Sequence, residues 1–390
     1  MRAYVLDAEW DPQPGHAVPP EEERTRTARV ASRVWRHPRL RLAEVPDPSP
    51  GPGDVLVRVE AEGICGSDTH CLETDPGGWM RFSGPARLPV ILGHAVAGVV
   101  VQVGPGVRGF VPGDLVATEG MLYCGVCEAC RRGLPNQCSR LEMVGFSSPG
   151  AFADFIAVHE RHCWKVDGLA TRYGSTRLGL EVAALVEPLS CPYNGMFVAA
   201  GGMAPGSHVA IYGCGPIGLG AVLLARAAGA ASIVAFDVVP ARRGLAETLG
   251  ADRVFDPGDL ARAGTSPADV IRAETGGWGA DLQVEAAGAA LATMPEIERA
   301  FAPGGRMVYL GRTGERAPVS LDTLVSAAAG VVGSRGHAGG GCFPAVIRLI
   351  ERGRIDPSPM ITARYAFNAV PQALTRSGLR QDGKIVITRE

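Results

Sequence analysis

Apolar and polar residues alternate along Asp54–Ala61 with the period of two expected of a strand that buries one face. Residues 1–9 read as a first strand, and extended structure resumes over Val30–Glu44. Between them, Asp11–Arg29 is rich in Pro, Glu and Arg and reads as a surface insertion. Pro46, Pro48, Pro50 and Pro52 mark a turn. Short strands with Gly and Pro turns continue to about Val158, so this half is mostly β. The period changes near Leu178, and Glu181–Ala200 carries apolar residues at helical spacing. From His208 onward strands and helices alternate: strand His208–Tyr212, helix Pro216–Ala228, strand Ser232–Phe236, helix Pro240–Leu249 closed by Gly250, and strand Arg253–Phe255. Further strands follow at Asp281–Glu285, Arg306–Leu310 and Gly330–Gly333. The tail adds a helix, Pro344–Arg352, and a last strand, Lys384–Thr388, which is expected to fold back on the first domain.

Strands alternating with helices predict an α/β protein with a parallel, doubly wound sheet. A chain of 390 residues exceeds one ordinary core. The expected division is a mostly-β domain over residues 1–190 and 340–390, with a nucleotide-type domain over residues 191–339.

Composition narrows the classes of partner. Hydrophobic residues make up 46% and charged residues 20%, which suits a globular chain without long disorder. The net charge of -2 offers no basic excess for nucleic acid or an anionic membrane surface. Asp7, Glu9 and Asp11 interrupt any signal-peptide core, and Arg226 breaks the best apolar run. The expected location is the cytosol, where ten cysteines stay reduced and clustered ones serve metals.

Two motifs carry chemistry on their spacing alone. Gly213-Cys214-Gly215-Pro216-Ile217-Gly218 follows a strand and opens a helix. The first Gly permits the tight turn, the second lets a pyrophosphate approach the backbone, and the third lets helix pack on strand. The helix N-terminus adds free N–H groups and a positive dipole end. Asp237, 19 residues past Gly218 at the end of the next strand, can accept both ribose hydroxyls and would repel a 2′-phosphate, which favours NAD. Arg242 is a candidate lining for the adenosine, although a solvated helix residue is an equal reading. Arg242 and Arg243 together keep NADP open. The second motif is Cys124-x2-Cys127-x2-Cys130-x7-Cys138. Four thiolates in a Gly- and Pro-containing loop can close a tetrahedral site around a structural zinc; an iron–sulfur cluster is the alternative. Cys71, Cys163, Cys191, Cys214 and Cys342 are scattered and read as small buried apolar residues.

The run Gly63-Ile-Cys65-Gly-Ser67-Asp-Thr-His70, then Gly93-His94, the four-cysteine loop, Glu187-Pro-Leu-Ser and the glycine motif occur in that order. This order resembles the zinc-containing medium-chain dehydrogenase/reductase family, in its polyol dehydrogenase branch. Glu285-Ala-Ala-Gly288, Pro303-Gly-Gly305 and Gly383-Lys-Ile-Val-Ile extend the likeness over nearly the whole chain. The resemblance implies a GroES-like catalytic domain beside a Rossmann domain. It also implies a catalytic zinc on Cys65 and His94, with Glu187 as third ligand or close neighbour, and one position left open for water or substrate. Zinc eases loss of the alcohol proton before hydride leaves, and in reverse it polarises the ketone. By resemblance Ser67 and His70 relay the proton to solvent. With the four-cysteine site this makes two zincs per chain, and the family implies a homodimer or homotetramer.

One departure stands out: the family usually has Glu after the motif's His, and here Ala95 follows His94. The departure puts the ligand set in question and strengthens the expectation that Glu187 binds the metal directly. It keeps open two other readings: reduction of the C=C bond of an unsaturated cyclic ketone, and a silent NAD-binding protein. Four stretches, Ala8–Pro12 with Val34–Arg36, Glu73–Met80, Gly145–Ala153 and Gly333–Pro344, are similar to a bacterial subgroup that acts on inositol-derived ketones, the scyllo-inosose dehydrogenases. That likeness implies a polyol or cyclitol substrate, with Glu73, Asp75, Arg335 and His337 as candidate contacts.

Overall fold

The computed structural model describes residues 1–312 and 314–389. The chain forms two compact units. The first comprises Met1–Glu187, Ala363–Arg380 and the chain from Lys384; the second comprises Pro188–Thr362 and Gln381–Gly383.

The first unit is built on a seven-stranded sheet. Its main path runs Cys163–Lys165, Leu115–Thr118, Val96–Val103, Asp54–Gly63, Lys384–Thr388, Ile361–Ala366, and Phe155–His159 also pairs with Asp54–Gly63. The expected last strand is present, antiparallel to Asp54–Gly63. Val55, Val57 and Val59 bury the inward face of that central strand, against Val96, Val100 and Val116. Complete burial of such a side chain contributes roughly 1.5–3 kcal/mol, so this layer fixes where the end of the strand, and the loop after it, must lie. A smaller antiparallel sheet orders Trp35–Glu44, Arg2–Trp10 and Val90–Ile91.

The insertion is more structured than its composition suggests. It holds the helix Pro20–Thr25, which starts on a Pro, and a short strand, Thr27–Ala28, paired with Ala86–Arg87. Extended structure resumes only at Trp35, after a 3-10 turn at Ala31–Arg33.

The second unit carries a six-stranded, fully parallel sheet in the order Arg253–Phe255, Ser232–Phe236, His208–Tyr212, Ala280–Glu285, Phe301–Tyr309, Gly330–Gly333. This is the doubly wound order, which reverses direction beside the first strand and places the ligand crevice at the carboxyl ends there. The helix Pro216–Ala227 is buried from Gly218 through Ala225. Helices Pro257–Arg262 and Pro267–Glu274 start at Asp256 and Ser266, whose side chains accept backbone N–H groups of the first turn. The stretch read as one helix over Glu181–Ala200 divides into Thr176–Ala183, Val186–Tyr193 and a π-helical turn, Asn194–Ala199. Pro188 and Pro192 lack the N–H groups that a continuous helix needs.

Candidate active site

In the first unit, the central strand ends at Gly63 and the chain turns through Cys65 into the short helix Gly66–His70. Asp68 caps this turn: its Oδ2 accepts the Cys65 N–H at 2.9 Å. Its Oδ1 lies 3.2 Å from His94 Nδ1, and Asp68 is completely buried. His94 enters from the adjoining strand edge after Gly93, whose φ of +94° requires a glycine. Cys65 and His94 are in side-chain hydrogen-bond contact. Burial would push the Cys65 thiol up, but the hydrogen bond and charge of His94 bring it below its ordinary value. Burial would push His94 down, but Asp68 and Cys65 hold it well above the imidazole range. A cysteine sulfur and a histidine ring meet here, with a carboxylate at Nδ1 of the ring. This is the donor set that suits zinc, and the carboxylate fixes tautomer and ring orientation. Sequence reasoning gave Asp68 no role, although its place three residues after Cys65 is a capping-box signal.

In the second unit, the glycine motif takes the turn expected of it. Gly213 has a φ of +92°, and a Cβ there would come within 2.7 Å of Ala287 N. A Cβ on Gly218 would collide with the Gly213 carbonyl. Gly215 differs: a Cβ there would meet nothing nearer than Arg242 Nη1 at 3.8 Å. The first and third glycines are therefore filled in by protein, while the second leaves open space at the N-cap of Pro216–Ala227. An open cradle at a helix N-terminus suits a pyrophosphate. Asp237 is buried and braces this loop: Oδ2 accepts the Cys214 N–H at 2.7 Å and Oδ1 the Val239 N–H at 2.8 Å. Arg243 donates to the Asp237 carbonyl at 2.7 Å and to Asp256 at 2.9 Å, and Arg242 donates to the Asp382 carbonyl at 3.1 Å.

The four-cysteine loop draws Cys124, Cys127, Cys130 and Cys138 together, with all four sulfur atoms within 4.8 Å of one another. Backbone N–H groups point at the sulfurs: Cys127 N to Cys124 Sγ at 3.3 Å, and Arg140 N to Cys138 Sγ at 3.3 Å. Donors from Val126 and Cys127 bring Cys124 down to about 7, and those from Cys130 and Ser139 bring Cys127 down to about 5. Four converging sulfurs leave no open position, so an ion held here would tie the loop together.

The family models for the alcohol dehydrogenase GroES-like domain and the zinc-binding dehydrogenase match residues 51–168 and 216–352. The scyllo-inosose 3-dehydrogenase of Thermotoga maritima is 36% identical over 99% of this chain and 98% of its own. The chain belongs to the zinc-binding medium-chain alcohol dehydrogenase family. The L-threonine 3-dehydrogenase of Pyrococcus furiosus is 33% identical over 88% of this chain and 94% of its own. Among solved structures, one described as an alcohol dehydrogenase from Thermotoga maritima superposes with a TM-score of 0.94 at 35% identity, covering all of both chains. A zinc-binding dehydrogenase from Sinorhizobium meliloti 1021, solved with NADP, gives 0.77 at 28% identity over 98% of this chain and 99% of its own. The protein is thus a dehydrogenase of small molecules that uses a nicotinamide cofactor and zinc. Among the described residues, no helix is long and apolar enough to cross a membrane.

Of the remaining expected residues, Ser67 and His70 share the helix Gly66–His70, three positions apart and so on one face. His70 Nδ1 lies 2.8 Å from Glu73 Oε2, and Arg380 binds the same carboxylate at 3.1 Å. Burial and then Arg380 hold His70 below the usual imidazole value, against the pull of Glu73. Glu187 is buried in the first turn of Val186–Tyr193. Among the described residues it does not join Cys65 and His94 in a group of three close ligand atoms. Cys191, one turn further along that helix, is half-buried rather than core, with Sγ 3.9 Å from His337 Nδ1. Asp75 is occupied locally: one oxygen accepts the N–H groups of Gly77 and Trp79.

Proposed function

We propose that this dehydrogenase oxidises a secondary alcohol on a polyhydroxylated ring, a cyclitol or related polyol, with NAD as acceptor. The observation that carries the substrate class is likeness over 99% of the chain to an enzyme named for scyllo-inosose. Zinc, when bound, supplies the Lewis acidity that eases proton loss from the alcohol and polarises the ketone in reverse. Cys65 and His94 would hold it, with Glu187 as the third ligand and Asp68 fixing the imidazole. Ser67 orients the alcohol oxygen and receives its proton. His70, whose lowered pKa keeps the ring neutral and able to accept, passes that proton to solvent. Gly213, Gly215, Pro216, Ile217 and Gly218 cradle the pyrophosphate. Asp237 takes the ribose hydroxyls, and its charge disfavours a 2′-phosphate. The engagement of Arg243 with Asp237 and Asp256, and of Arg242 with Asp382, supports NAD over NADP. The second zinc sits in the four-cysteine loop as a structural ion.

A homodimer or homotetramer fits the edge of the parallel sheet. Gly330–Gly333 is its terminal strand, and the helix before it exposes Leu321 and Val325 at 73% and 78%. Light scattering on the purified protein tests this. The functional test is an NAD-reduction screen against inositols, aminocyclitols and open-chain polyols. Cys65→Ala and His94→Ala should abolish turnover and leave NAD binding intact. A preference for open-chain polyols would refute the cyclitol assignment.

A further inference from the structure

Glu62 stands one residue before the glycine that ends the central strand, between Val96 on one neighbouring strand and Ile387 on the other. It is 1% exposed, and neither carboxylate oxygen has a hydrogen-bond partner among the described residues. Lys384, also 1% exposed, has an equally unpartnered ammonium. Two glycines make room for them. A Cβ on Gly93 would overlap the Glu62 carboxylate, and a Cβ on Gly63 would overlap the end of the Lys384 side chain. Glu62 therefore packs against the residue that precedes His94. Burial and then the charge of Asp68 hold its carboxyl well above the usual carboxylate range, against the pull of His94, Arg389 and Lys384. A buried ion without hydrogen bonds costs several kcal/mol, so Glu62 ionises here only with a cation to meet it.

That position is one strand away from the family's missing carboxylate. Gly63 N donates to Ala95 O at 2.9 Å, and Ala95 is itself fully buried. The methyl of Ala95 cannot act on a metal, whereas the Glu62 carboxylate packs from the adjacent strand against Gly93, the residue before His94. With a metal held on Cys65 as thiolate and His94 as neutral imidazole, an ionised Glu62 adds to the negative charge of Asp68, and Lys384 opposes both.

We propose that Glu62 supplies, from the neighbouring strand, the buried negative charge that Ala95 leaves missing behind the Cys65–His94 centre, and that Lys384 tempers it. The pair sets the affinity of the centre for a divalent metal; Glu62 is a positioning residue and touches no substrate. This rests on the reading of Cys65 and His94 as metal ligands.

The test measures zinc affinity by chelator competition on the full chain, with the four-cysteine site as internal reference. Glu62→Gln should weaken zinc at the Cys65–His94 centre by about 10- to 100-fold, and Lys384→Met should strengthen it. The double variant should return towards the parent. A cobalt-loaded sample should show the same order in retention of its absorption bands. A pair that merely neutralises itself predicts changes of the same sign in both single variants, or none, and either result overturns the proposal. If Glu62→Gln does not fold, Lys384→Met decides alone: tighter binding supports the proposal, and unchanged or weaker binding overturns it. A parent chain whose zinc content is unaffected by Cys65→Ala overturns the metal-centre reading itself and this proposal with it.

Discussion

The glycine loop allows folding and cofactor binding to be separated by two substitutions three residues apart. Gly215 has an ordinary φ of -70°, and a Cβ there meets only Arg242 Nη1 at 3.8 Å. Replacing Gly by Ala removes freedom from the unfolded chain, worth about 0.4–1 kcal/mol. Ala is a poorer N-cap than Gly by about as much, so Gly215→Ala should leave stability within about 1 kcal/mol of the parent. Its methyl, however, fills the space where a pyrophosphate would approach the backbone. A tenfold loss of affinity corresponds to about 1.4 kcal/mol, and at least that loss is expected. Gly218→Ala behaves oppositely. Its Cβ would be driven into the Gly213 carbonyl, 2.9 Å from the carbonyl carbon, and would lie 3.5 Å from Ile211 Cγ2. The helix must move off the strand at a cost of about 1–3 kcal/mol. For a unit of this size each kcal/mol lowers the apparent Tm by about 2–4 °C. Calorimetric titration with NADH and a thermal melt, run on both variants, check the pair. Unchanged NADH affinity in Gly215→Ala, with normal folding, would refute the assignment of this loop to the pyrophosphate.

Asp237→Asn should lower the apparent Tm by about 4–8 °C, because one of two bonds to a buried charged acceptor, worth about 2 kcal/mol, is lost. It should also narrow the NAD-over-NADP ratio of kcat/KM; an unchanged ratio misplaces the ribose carboxylate. In chelator-stripped protein, iodoacetamide at pH 6 should modify Cys127 first, since thiolate forms above its pKa of about 5. Cys124, at about 7, should follow, and Cys130, pushed up to about 12 mainly by burial, should come last. Peptide mapping reads the order, and equal rates would contradict it. Arg380→Ala removes a cation that disfavours protonated His70, so the His70 midpoint in an NMR titration should rise; no shift or a fall would remove Arg380 from the account.

What the sequence made legible follows how local each signal is. The parallel sheet could be read because each buried strand is a short apolar run closed by its own turn, as at His208–Tyr212 and Ser232–Phe236. The four-cysteine loop lies within 15 residues, so spacing alone brought its sulfurs together. Helices Pro257–Arg262 and Pro267–Glu274 were passed over although a capping residue followed by Pro marks each start. Glu62 misleads a reading by alternation. It shares the parity of Arg58 and Glu60, which face outward, yet it is buried, with Gly93 packed against its carboxylate. No local pattern announces a neighbour that lies outside its own strand. Asp68 was in view but silent, because its partner His94 lies 26 residues away in sequence.

The central claim, a zinc- and NAD-linked dehydrogenase of ring polyols, is tested most directly by NAD reduction on an inositol panel with zinc counted in the same sample. The parent is predicted to carry two zincs per chain and to reduce NAD with a cyclitol. Cys65→Ala should keep the zinc of the four-cysteine loop and bind NADH but turn over nothing. A parent with both zincs that reduces NAD with no ring polyol, or turnover that survives Cys65→Ala, would contradict it.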